Sequence, residues 1–111
     1  MPNDKVKNLD DANFEVEVFG ESTKVLVQFW ASWSPPCSQV SPVVDRIADE
    51  FNQQIIVGRL DIENSQRMTR LYNVTQVPTL ILFQSGVEVY RKMGVINEST
   101  LSYLIHSYLE T

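Results

Sequence analysis

The stretch Val25-Leu26-Val27-Gln28-Phe29-Trp30-Ala31-Ser32-Trp33-Ser34-Pro35-Pro36-Cys37 decides the fold. Val25 to Ala31 is a nearly continuous apolar run rich in β formers, the pattern of a central strand covered on both faces. From Ser34 the period changes. Val40, Val43, Val44, Ile47, Ala48 and Phe51 recur at helical spacing, which predicts a helix packed on a sheet. Pro42 falls inside that helix and should kink it. Ser34 suits the N-cap and Pro35 the first helical position.

Working outward, Val6 to Leu9 reads as a short extended piece, followed by a helix opened by Asp10 or Asp11 and closed by Gly20. Ile55 to Ile62 is a second core strand, and Asn64 can cap a helix running to about Tyr72. Val77-Pro78 leads into the strand Thr79 to Phe83, and Ser85-Gly86 supplies the turn into Val87 to Met93, so these two strands form a hairpin. After Gly94, Asn97 caps a last helix with Leu101, Leu104, Ile105 and Tyr108 on one face. The order strand, helix, strand, helix, hairpin, helix implies an α/β layer arrangement. Its first strand-helix-strand unit is parallel and its hairpin antiparallel.

A chain of 111 residues is expected to form a single domain over residues 1-111 with one core. The composition, 43% apolar and 21% charged, is that of ordinary globular proteins. The net charge of −5, with no basic patch, argues against nucleic acid and anionic membranes as partners. The polar start Met1 to Lys5, with no apolar run behind it, and the absence of a segment of membrane-spanning length lead to the expectation of a cytoplasmic protein, and a monomer is expected. Cys37 is the only cysteine, which fits a reducing compartment and excludes a disulfide framework. Neither metal nor cofactor is expected.

With these elements in place, the chain resembles the thioredoxin family over nearly its whole length. Trp33 stands at the tryptophan before the first cysteine, and Ser34-Pro35-Pro36-Cys37 at the Cys-x-x-Cys motif. Pro42 matches the helix-kinking proline, Val77-Pro78-Thr79 the signature whose proline is cis, and Gly86 and Gly94 the turn and groove glycines. The resemblance implies a thioredoxin-like three-layer α/β fold, a central mixed β-sheet flanked by helices. It also implies membership of the protein disulfide oxidoreductase and cell redox homeostasis lineage. Trp33, Pro35, Pro36, Val77, Pro78 and Gly94 are implied as a small apolar platform for an extended polypeptide or a disulfide-containing protein.

Two departures bear on mechanism. In the family the first cysteine attacks a substrate disulfide and the second resolves the mixed disulfide, whereas here the catalytic pair is Ser34 and Cys37. Many members also hold a buried acid at the position of Gln28, and an amide cannot titrate. A serine hydroxyl needs a paired base to become a nucleophile. The single histidine, His106, lies among Tyr103, Ile105 and Tyr108 in the last helix and reads as a partly exposed helical residue, which leaves Ser-His hydrolysis unsupported. Cys37, at the inward position of the motif, reads as a buried and inert thiol. Arg59 corresponds to a basic position near the family's site or is a surface charge. Glu63, Arg67 and Arg70 read as a solvated face.

Three functions stay open. The chain is a family member without dithiol activity that binds polypeptides through the cis-proline groove. Alternatively it is an active Cys-Pro-Pro-Cys oxidoreductase carrying an engineered cysteine-to-serine change at Ser34, or a monothiol redox sensor working through Cys37.

Overall fold

The structure, a computed structural model, describes residues 3–19 and 24–110. Five strands, β1 (Val6–Leu9), β2 (Lys24–Trp30), β3 (Ile55–Asp61), β4 (Thr79–Gln84) and β5 (Val87–Met93), form one sheet in the order β1-β3-β2-β4-β5. The apolar run of β2 takes the centre, parallel to β3 and antiparallel to β4. Alternation then sorts its side chains between two cores. Leu26 packs with Val40, Val44 and Ile47 of α1 (Pro35–Glu50) and with Leu101 and Ile105 of α3 (Glu98–Leu109). Val25, Val27 and Phe29 pack on the opposite face with Phe14, Val18 and Met68, the last from α2 (Gln66–Leu71). Burying each of these large side chains is worth about 1.5–3 kcal/mol. The result is the thioredoxin-like three-layer arrangement.

The Ser85-Gly86 turn joins β4 to β5 with φ of 53° and 81°, the paired left-handed geometry of a tight hairpin. A register irregularity follows at Leu82/Phe83. Arg91 of β5 forks onto Glu88 with bonds of 2.8 and 2.9 Å and donates to the Tyr72 carbonyl at 2.6 Å, tying the edge strand to the end of α2.

One local expectation is refined and one is corrected. The helix expected after β1 is present as a turn leading into a π-helix, Glu15–Phe19. The inward positions Phe14 and Val18 lie four apart in either helix type, so their spacing does not separate the two. The turn begins as expected from Asp10, whose Oδ1 accepts from the Ala12 and Asn13 N–H groups at 2.9 Å; the stop expected at Gly20 lies outside the described residues. Asn64 does not cap α2. Ser65 occupies the N-cap position without using its side chain, and the orphan donors of Arg67 and Met68 go to the Asp11 carboxylate at 3.1 and 2.9 Å. In α3 the expected cap is present, Asn97 Oδ1 accepting from the Thr100 N–H at 2.8 Å. The α1 helix continues through Pro42.

The pairing registers decide what meets at the sheet's end. Trp30 lies opposite Asp61, Phe29 opposite Thr79, and Thr79 opposite Met93. The segments that follow β2, β3 and β5 and the segment that precedes β4 therefore emerge together.

Candidate functional site

At this end the chain leaves β2 and turns into α1, with the Ser34 N–H bonded to the Ala31 carbonyl at 3.2 Å. Trp33 is 63% exposed, Pro35 and Pro36 are exposed, Ser34 is buried and Cys37 is 3% exposed. Ser34 holds the extended geometry of an N-cap (φ −101°, ψ 106°), but its hydroxyl caps nothing. Pro35 and Pro36 carry no N–H, and the Cys37 N–H is taken by the Ser34 carbonyl at 3.0 Å. The residue type is right for a cap and the donors are missing.

Cys37 is turned inward as expected of the second position. A disulfide needs two sulfurs about 2 Å apart, and the chain has one cysteine. No disulfide can therefore close within the molecule.

The second component is the segment before β4. The Val77-Pro78 bond is cis, Pro78 is buried and Val77 half-buried. The Pro78 carbonyl accepts from the Gly94 N–H at 2.8 Å, and Gly94 holds φ of 90°, a backbone conformation that favours glycine. This bond draws the exit of β5 onto the entry of β4 and leaves Met93 and Val95 about half exposed. Val77 makes no backbone hydrogen bond among the described residues. The structure thus gathers Trp33, Ser34, Pro35, Pro36, Cys37, Val77, Pro78 and Gly94 at one end of the sheet.

Beneath the motif lies a polar cluster that the sequence reading only partly anticipated. Gln28 is fully buried on the α1 side of β2. Its Oε1 accepts from Arg59 Nε at 2.8 Å and its Nε2 donates to Ser41 Oγ at 3.1 Å. An arginine only donates, which determines how the amide is turned. Arg59 Nη2 also donates to the Ser41 carbonyl at 2.7 Å and to Asp45 Oδ1 at 2.9 Å. Arg59 is therefore an internal organiser whose side chain is 17% exposed, not a surface charge. Ser41 and Asp45, its partners on α1, were not singled out in sequence. Their i, i+4 spacing on one helix face was the available signal. His106 is half exposed, with its ring 4.8 Å from that of Phe51, far along the chain from the motif and on the last helix.

A mixed sheet with helices on both faces, a tryptophan-led motif at a helix start and a cis-proline beside it define a thioredoxin-type architecture. The thioredoxin family model matches residues 5–107, and the chain belongs to that family. It is 38% identical to a thioredoxin of Porphyra purpurea over 104 residues, covering 94% of this chain and 97% of the relative. A thioredoxin of Pyropia yezoensis is 36% identical over the same shares. A bifunctional thioredoxin reductase/thioredoxin of Mycobacterium leprae is 41% identical over 91 residues, which is 82% of this chain and 20% of that protein.

Proposed function

We propose that this thioredoxin-family protein binds extended polypeptides in the groove between Trp33 and the Val77-Pro78 segment, without the dithiol exchange of its lineage. The observation that carries this reading is the contrast between its parts. The lone thiol of Cys37 is 3% exposed, while Trp33 is 63% exposed and the backbone of Val77 is unpaired among the described residues. An extended chain can pair with such a backbone as an added strand, with apolar side chains against Trp33, Met93 and Val95. Gln28 supports the same reading. An amide locked to Arg59 cannot serve as proton acceptor for Cys37.

The test has two parts. Insulin reduction by dithiothreitol should run no faster with the protein than without it. Titration of ¹⁵N-labelled protein with S-carboxymethylated insulin B chain should give saturable shifts at the Val77 and Gly94 amides and the Trp33 indole, weakened in Trp33→Ala. Catalysed insulin reduction refutes the first half of the proposal, and unperturbed Val77 and Gly94 refute the second.

A further inference from the structure

A cleft of about 270 Å³ opens at the same end of the sheet. Its lining includes Asp10, Trp30, Arg59, Asp61, Asn64 and Ser65. Asp61 and Trp30 are register partners, which places an indole next to a carboxylate.

The charge balance of this cleft is negative. Arg59 has committed its Nε and Nη2 donors to Gln28, Ser41 and Asp45, and Asp45 matches its charge. Asp10 and Asp61 are held only by neutral donors, the Ala12 and Asn13 N–H groups for one and the Glu63 N–H and Asn64 amide for the other. Neither has an ion-pair partner among the described residues.

A second observation is independent of those charges. Ser65 is 1% exposed, and its Oγ is the one buried side-chain polar atom without a hydrogen bond among the described residues. Native interiors pair such groups, and an orphan calls for a partner that completes it. A hydroxyl can accept a hydrogen bond from a cation as readily as it donates one.

We propose that this cleft binds an organic cation, an ammonium or guanidinium group on a short apolar stem. Asp10 and Asp61 supply the charge, Ser65 Oγ and the Asn64 amide oxygen accept N–H donors, and the Trp30 indole adds cation–π attraction. An anion would meet two carboxylates, and the N–H groups of Arg67 and Met68 that could attract it are already held by Asp11. A wholly apolar ligand would leave the polar lining unpaired. The volume lies just below the usual range of about 300–1,000 Å³ for small-molecule sites. It suits one basic side chain of a polypeptide or a free small amine. The proposal stands apart from the peptide groove, since Trp33 and Pro78 do not line the cleft.

The test is a titration of the ¹⁵N-labelled protein with Nα-acetyl-lysine N-methylamide, with butylamine, and with Nα-acetyl-norleucine N-methylamide as the neutral control. The lysine derivative should give saturable shifts at the Trp30 indole, the Asn64 side-chain amide and the Ser65 amide. Butylamine binding equally well identifies a free amine as a sufficient ligand, and binding by the lysine derivative alone identifies a polypeptide side chain. Asp10→Asn combined with Asp61→Asn removes both charges, keeps the oxygen that accepts from the Ala12 and Asn13 N–H groups and one of the two acceptor oxygens at position 61, and should weaken binding at least about tenfold. Ser65→Ala should weaken it without lowering the melting temperature, and Trp33→Ala should leave it unchanged. The proposal is overturned if neither cation gives saturable shifts, or if the norleucine control reproduces them.

Discussion

Gln28 and Arg59 stand opposite each other across the parallel β2–β3 pair, joined by a 2.8 Å bond from Arg59 Nε to Gln28 Oε1. The Gln28 amide is a neutral relay between a guanidinium and the Ser41 hydroxyl. Gln28→Ala should therefore destabilise the protein by about 1.5–3 kcal/mol, the range for hydrogen bonds to charged groups. Urea unfolding measures this, and a loss below about 0.5 kcal/mol, the scale of ordinary surface changes, would show that Arg59 and Ser41 find other partners.

Ser34→Cys should create a pair that oxidises within the molecule. Positions 34 and 37 stand three apart across the start of α1, one at its N-cap and the other in its first turn. Mass spectrometry after mild oxidation should show the loss of two hydrogens and no dimer, with glutathione redox buffers then giving the potential. Failure to oxidise internally would mean that Pro35 and Pro36 hold the two side chains apart.

Cys37 should react with iodoacetamide slowly in the folded protein and fast in urea. At 3% exposure, reagent reaches it only through opening of the structure, so the folded-state rate should be lower by at least about tenfold. Equal rates in both states would contradict the inward placement, as would ready formation of a disulfide-linked dimer.

Glu88 sets a pH signature. Its hydrogen bond to Arg91 holds its carboxyl below the usual range, against a smaller opposing effect of burial. A depressed folded-state value means that the contribution to stability is present above the ordinary Glu value and is lost as pH falls through the folded one. The pair is partly solvent-screened, with side-chain exposures of 25% and 33%, so its worth is at most about 1 kcal/mol. Glu88→Gln should thus cost a little stability at pH 7 and nothing in strong acid. A deficit that persists in acid would point to lost packing instead.

Much of the fold was legible because it rests on patterns local in sequence. The run Val25 to Phe29, the stripe from Val40 to Phe51, the Ser85-Gly86 turn and the Asn97 cap each carry their own instruction. The illegible parts depend on groups that meet only in three dimensions. Ser34 has the chemistry of a cap, but its use depends on donors that two following prolines remove. The partner of Arg59 could not be chosen until the β2–β3 register placed Gln28 beside it. The cleft is harder still, because its lining is drawn from β1, β2, β3 and the entry to α2.

The carboxylate of Asp11 reaches α2 across 56 and 57 residues of sequence. A helix of six residues is far below the length that persists alone in water. Its starting signal arrives only when the segment after β1 has docked. Segment and helix are therefore parts of a single cooperative unit, and their amides should open and close together in hydrogen exchange. One wall of the cleft, at Ser65, thus stands at the head of a helix whose persistence is dictated from the segment after β1.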